Sequence, residues 1–214
     1  ERTCSICGKT ETAKIPDPCI GDKYCAGGVF DDMPAADDWS HAGIDYCVLF
    51  GLMNGIGNDL FDPAGETTRA MLVSMLYRMA GEPDVSGLPE LPFEDVTADA
   101  WYADAVRWAY AKEVSVGVDD THFAPDARLT RAQLVTMLYR AYGPEKGVRP
   151  RPIGGYTDWN TVPEWAYPAA TWAVSMGLLY GTSSSQLSPN AGANRAQLAA
   201  FMMRTCELQS ELDA

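Results

Sequence analysis

The phrase LTRAQLVTMLYRAYG at residues 129–143 begins 62 residues after TTRAMLVSMLYRMAG at 67–81 and 64 before a worn copy, ANRAQLAAFMMRTCE, at 193–207. A phrase written three times at near-constant spacing is an internal repeat, and the repeat has to be settled before any residue is assigned to a site. Each phrase closes a longer unit. FDDMPAADDW (30–39), FEDVTADAW (93–101) and YTDWNTVPEW (156–165) open the three units, and the second acidic position of each opening, Asp32, Asp95 and Asp158, recurs every 63 residues. An apolar stretch follows each tryptophan and ends at Gly55, Gly117 or Gly181, then a loop containing Pro63, Pro125 or Pro189 leads into the repeated phrase.

Within the phrase, Leu134, Met137, Leu138 and Ala141 fall at i, i+3, i+4 and i+7, as do Leu72, Met75, Leu76 and Met79 in the first copy, which predicts an amphipathic helix. Thr130 with Gln133 has the form of a capping box, Asn194 with Gln197 repeats it loosely, and Met71 removes the reciprocal bond from the first copy. Helices are therefore expected to start just after the threonine or asparagine. Gly55, Gly117 and Gly181 are expected to end the first helices in a left-handed conformation, or to admit a ligand close to the backbone. Each unit reads as helix, loop, helix. The units span 30–81, 93–143 and 156–208, joined by Gly- and Pro-rich linkers and preceded by a cysteine-rich extension at 1–29. A two-helix unit of this size cannot bury its apolar face alone, so the three should pack on one another.

The formal charge is −13, with acidic residues spread along the chain, which speaks against nucleic acid as a partner. The apolar runs are too short for membrane insertion. The chain opens ERTCSICG without methionine, the start expected of a processed product or a piece of a longer precursor. Of the six cysteines, Cys4, Cys7, Cys19 and Cys25 crowd the extension, with Cys47 and Cys206 further on. Zinc and disulfides are both open there. The five residues between Cys19 and Cys25 exceed the usual zinc spacing and favour disulfides, with Cys25 to Cys47 as one staple and Cys206 tied to the head as another. No metal or cofactor is called for. Catalysis finds little support: His41 and His122 occupy unrelated places in their units, and neither a phosphate loop nor a serine elbow is present.

Arg69, Arg131 and Arg195 fall at the first helical position, where a cation opposes the helix dipole at a cost of about 0.3–1 kcal/mol. Two compensations are open: a salt bridge to the repeated Asp32, Asp95 or Asp158, or an anion held by the arginine and the helix-start amides together. Trp108, Trp172 and Tyr46 are assigned to the core. Trp39, Trp101 and Trp165 sit among polar residues and suit partial exposure beside a groove, where a flat ring matches the apolar face of a sugar.

Units of the form F-x-D, then W, then glycine before a polar loop, then proline and T-R-A, resemble S-layer homology domains, three of which would cover nearly the whole chain after the cysteine-rich start. The resemblance implies an all-α, pseudo-threefold, three-pronged spindle with ligand grooves between repeats. It also implies an extracellular location on a bacterial surface and noncovalent anchoring to secondary cell wall polysaccharide, commonly bearing pyruvate ketals on N-acetylmannosamine, with other surface-layer proteins as further partners. The groove residues it carries over are Asp32, Trp39, Gly55 and Arg69; Asp95, Trp101, Gly117 and Arg131; and Asp158, Trp165, Gly181 and Arg195. Tyr156, SSSQL and Asn194 depart from the pattern in the third unit, and Glu113 replaces a glycine in the second, so Arg69 and Arg131 rank ahead of Arg195. Two other readings stay open: a scaffold whose function lies in the cysteine-rich head, and a fragment of a larger surface enzyme.

Overall fold

The computed structural model describes residues 2–3, 10–11, 25–143 and 153–212. These residues contain six α-helices: α1 (His41–Leu49), α2 (Arg69–Met79), α3 (Ala103–Ala111), α4 (Arg131–Tyr142), α5 (Tyr167–Ser175) and α6 (Arg195–Leu212). The only ladder of named strands among them is a two-residue antiparallel pair, β1 (Arg2–Thr3) with β2 (Thr10–Glu11), ahead of the first repeat. The fold is therefore helical, two helices to a repeat. None of these helices is long and apolar enough to cross a membrane.

The caps follow the sequence closely. In α4 the Thr130 hydroxyl accepts from Gln133 N at 3.2 Å while Gln133 Oε1 accepts from Thr130 N at 3.0 Å. Asn194 and Gln197 make the same pair with a longer return bond of 3.4 Å. In α2 only Met71 N to Thr68 Oγ1 is made, because methionine has no acceptor to return.

The other helix ends correct the reading of the glycines. α1, α3 and α5 stop before Gly55, Gly117 and Gly181, each with a left-handed residue just beyond its cap: Gly51, Glu113 and Gly177, at φ 67°, 57° and 68°. Two amides beyond each turn back to one carbonyl, Leu52 N and Met53 N to Cys47 O, Val114 N and Ser115 N to Ala109 O, Leu178 N and Leu179 N to Ala173 O. This is Schellman-type closure. The repeated glycines further on are required for space, and Gly117 for a positive φ of 91° as well. A Cβ on Gly117 would lie 2.6 Å from the Phe93 ring and one on Gly181 2.7 Å from the Tyr156 ring, and at Gly55 it would collide with Phe30. Each glycine makes room for the opening aromatic of its own repeat.

The repeated aspartates have the same local logic. Asp32 accepts from the amides of Phe61 and Asp62 at 2.7 Å each, Asp95 from Phe123 and Ala124 at 2.8 and 2.7 Å, and Asp158 from Leu187 and Ser188 at 2.8 Å each. The second residue of every pair is a non-glycine at positive φ: Asp62, Ala124 and Ser188, at 57°, 57° and 52°. A carboxylate that binds two successive amides fixes a backbone conformation that L-residues otherwise avoid.

The chain divides into two compact units that do not follow the repeat boundaries. One contains the segments up to Glu66, 78–81 and from Asn194 on; the other contains Thr67–Tyr77 and Glu82–Ala193. In the first, α1 packs on α6, the last of the described helices. Gly43 permits the approach, since a Cβ there would stand 2.7 Å from Ala200 Cα, and Ile44, Cys47, Leu198 and Met202 fill the contact without exposure. In the second, Tyr77 of α2 meets Trp108 of α3, and Tyr139 of α4 meets Trp172 of α5 at 5.5 Å between centroids. The second helix of one repeat thus packs on the first helix of another. Trp108 and Trp172 are buried as expected, while Tyr46 is only half-buried, tilted against Phe50.

No two of Cys25, Cys47 and Cys206 are joined by a disulfide. The expected Cys25–Cys47 staple is absent because the two thiols face different partners: Cys25 Sγ donates to Asp45 Oδ1 at 3.0 Å, and Cys47 Sγ points at Ala199 O of α6 at 3.6 Å. Burial pushes the Cys47 thiol far up, so it packs as a small apolar group. Cys4, Cys7 and Cys19, with the pairings and the zinc reading that involve them, lie outside the described residues.

Two outcomes follow from this packing. Gly43→Ala should destabilise the protein by about 1–3 kcal/mol in a denaturant titration, because the added methyl meets backbone that cannot swing aside. The Asp158 carboxyl is held below its ordinary 3.8, chiefly by the Leu187 amide. Its contribution is complete above that value and is lost as pH falls through the lower folded one, so the stability gap between wild type and Asp158→Asn should be constant near neutrality and close as pH falls below 3.8.

Candidate functional site

Arg69, Arg131 and Arg195 open α2, α4 and α6 and are 4%, 3% and 6% exposed. Both compensations expected from the sequence give way to a third. Arg69 Nε donates to Phe123 O at 2.9 Å and Nη2 to Ser115 Oγ at 3.2 Å; Arg131 donates to Leu187 O and Tyr180 O; Arg195 donates to Phe61 O and Asn54 O at 2.7 Å each. Most acceptors are backbone carbonyls, and no carboxylate among the described residues pairs with these guanidiniums. The aspartates act at one remove, because Phe61, Phe123 and Leu187, whose amides they bind, are the residues whose carbonyls receive the arginine Nε. Arg69 and Arg195 also lie over the Phe123 and Phe61 rings, at 4.8 and 4.5 Å. Burial pulls all three guanidiniums below their ordinary value, though an arginine keeps its charge near neutrality.

The helix-start amides are occupied as well. Arg69 N and Ala70 N donate to Ala127 O and Pro125 O, Arg131 N and Ala132 N to Ala191 O and Pro189 O, and Arg195 N and Ala196 N to Gly65 O and Pro63 O. The third amide of each helix goes to the cap side chain. An anion cannot therefore be caught by free helix-start amides, and what remains for a ligand is the outer edge of the arginine.

In the unit that contains residues 67–77 and 82–193 that edge faces a groove of about 400 Å³. Arg69 stands in its lining, with Nε and Nη2 committed and Nη1 without an acceptor among the described residues. One wall is the loop after α3, with Ser115, Val116, Gly117 and Val118. Another is the α4 stripe Gln133, Thr136, Met137 and Arg140, and Trp165 closes the set. Val116, Val118 and Trp165 are 51%, 52% and 54% exposed, so apolar surface surrounds the cation, and no aspartate or glutamate lines the groove.

Three expected residues meet here, and each comes from a different repeat: Arg69 from the first, Gly117 from the second, Trp165 from the third. Trp39 and Trp101 are 58% and 65% exposed, consistent with surface aromatics, and neither lines this groove. Asp32, Asp95 and Asp158 shape loops inside their own repeats, and Gly55 and Gly181 accommodate aromatic rings. The reading of the sequence missed Ser115, Gln133, Thr136 and Arg140. A signal for the last three existed, since with Met137 they form a second i, i+3, i+4, i+7 row beside the core stripe of α4.

The S-layer homology domain family matches residues 29–70, 92–135 and 155–199. Among relatives, the chain is 32% identical to the surface-layer 125 kDa protein of Lysinibacillus sphaericus over 73% of this chain and 13% of that one. It is 27% identical to the S-layer protein of Bacillus thuringiensis subsp. finitimus over 92% of this chain and 23% of that one, and 26% identical to the amylopullulanase of Thermoanaerobacterium thermosulfurigenes over 78% and 9%. The chain thus spans less than a quarter of the length of these relatives. With three matches in tandem, the chain belongs to the S-layer homology domain family and is a cell-surface anchoring module of a bacterial extracellular protein.

Proposed function

We propose that the groove beside Arg69 binds an acidic sugar of secondary cell wall polysaccharide, a pyruvate ketal on N-acetylmannosamine, and that this contact is the noncovalent anchor. One observation carries the reading: a guanidinium fixed in the groove lining by two hydrogen bonds and an aromatic ring has one nitrogen left over and shares the lining with a half-exposed tryptophan and no carboxylate, in a chain of net charge −13. The ketal carboxylate meets Arg69 Nη1, and the sugar's apolar face lies on Trp165. By the repeat, Arg131 with Gly181 and Arg195 with Gly55 are counterparts of Arg69 with Gly117 and serve the same kind of ligand, and Trp39 and Trp101 are exposed aromatics of the same kind as Trp165. Asp32, Asp95 and Asp158 are positioning residues that fix the loops the arginines bind. The reading is one of binding rather than catalysis, and the rest of the parent protein is the cargo.

Within the unit that contains residues 67–77 and 82–193, the starts of the three repeated phrases are joined by a closed cycle of three buried hydrogen bonds: Thr67 N to Ala193 O, Ala193 N to Leu129 O, and Leu129 N to Thr67 O. The three residues occupy equivalent positions, two before each arginine.

Calorimetric titration with purified wall polysaccharide tests the anchor. The protein should bind intact polymer and lose binding after mild acid removes the ketals, and Trp165→Ala should weaken binding about tenfold, the equivalent of losing roughly 1–1.5 kcal/mol of aromatic contact. Equal binding before and after ketal removal would overturn the carboxylate reading. Arg69→Ala is the wrong probe, because it leaves the Phe123 carbonyl unpaired and costs about 1–3 kcal/mol of folding energy.

A further inference from the structure

We infer that Arg140 is a second anion-binding residue of this groove and that its ligand carries two acidic groups, the one that meets Arg69 and another on the neighbouring sugar. The inference rests on the reading of the groove as an acidic-sugar site. It starts from an inequality between equivalent arginines in the last turns of second helices. Arg78 in α2 is half-buried and donates through Nη1 to Leu52 O at 2.9 Å, closing the end of its own repeat's first helix. Arg140 is its counterpart in α4, and Val114 is the counterpart of Leu52, yet Arg140 makes no such bond. It is exposed, has neither acceptor nor ion-pair partner among the described residues, and turns to the groove.

Two guanidiniums then share one groove without a neutralising carboxylate. Arg69 is fixed and offers one nitrogen, which suits a single acid group seated against it. Arg140 is unrestrained and stands seven residues along α4 from Gln133, so the wall between them runs for about 10 Å at 1.5 Å per residue. A monoanionic sugar satisfies only one of the two cations. A ligand with a second acidic group satisfies both, and that group is either a uronate carboxylate or a phosphodiester, which offer the same charged oxygens to a guanidinium.

The test uses the whole chain and three disaccharides by calorimetry: a pyruvate ketal of N-acetylmannosamine linked to a neutral hexosamine, to a uronic acid, or to a hexosamine phosphodiester. Wild type should bind one or both doubly acidic sugars roughly fivefold more tightly than the neutral-neighbour sugar, the size expected of one partly exposed ion pair; the arm that gains identifies the source of the second acid. Arg140→Gln should erase the gain while leaving the neutral-neighbour sugar within about twofold, and Arg140→Lys should keep most of it. A flat response of Arg140→Gln across all three sugars, or an equal loss on all three, would overturn the inference and leave the ketal site standing. No binding of any disaccharide to wild type would remove the acidic-sugar reading and the inference with it. An unchanged thermal midpoint in both variants separates lost binding from lost folding.

Discussion

The structure depends on one bond pattern: the first two amides of every second helix donate to carbonyls of a proline loop in a different repeat, while the arginine at the same position donates to acceptors, nearly all carbonyls, earlier in that repeat. Helix starts leave amides that must find acceptors, and a buried guanidinium must have most of its donors satisfied. Both demands are met by loops that no single repeat offers to itself. A repeat of this kind is incomplete alone in hydrogen bonding as well as in apolar burial. The aspartates extend the pattern, since they set the shape of the loop that presents the carbonyls.

Much of this was legible in the sequence. The threefold phrase gave the helices, the caps at Thr130 and Asn194 gave their starts, and Met71 foretold the missing return bond in α2. Where the reading failed, residue type was compatible with two physical causes. A glycine repeated three times signals either positive φ or crowding, and the spacing of Gly55, Gly117 and Gly181 does not distinguish them. The left-handed residues that close the first helices are Gly51, Glu113 and Gly177, one of them not a glycine at all, while Gly117 further on combines both causes, at φ 91° and against the Phe93 ring.

The groove was harder to read because it is composite. Aligning the repeats sorts residues by copy, which grouped Arg69 with Trp39 and Gly55, whereas the groove takes Arg69, Gly117 and Trp165. Arg140 was hidden for a related reason. It belongs to the repeated phrase, where residue type and spacing match those of Arg78, and only the geometry separates the two. Backbone carbonyls, the partners of the repeated arginines in all but the Arg69–Ser115 bond, leave no mark in a sequence.

The packing of α1 on α6 sets the order in which the chain can fold. Cys47 and the Ala199 carbonyl it faces are 152 positions apart, and Ile44 beside it is fully buried only when both helices are in place. During synthesis or secretion α1 therefore emerges long before the helix that covers it. Contacts this distant close slowly and leave apolar surface exposed in the interval. α1 stays unfinished until α6 has arrived, so a chain cut short of α6 is marked by an uncovered α1.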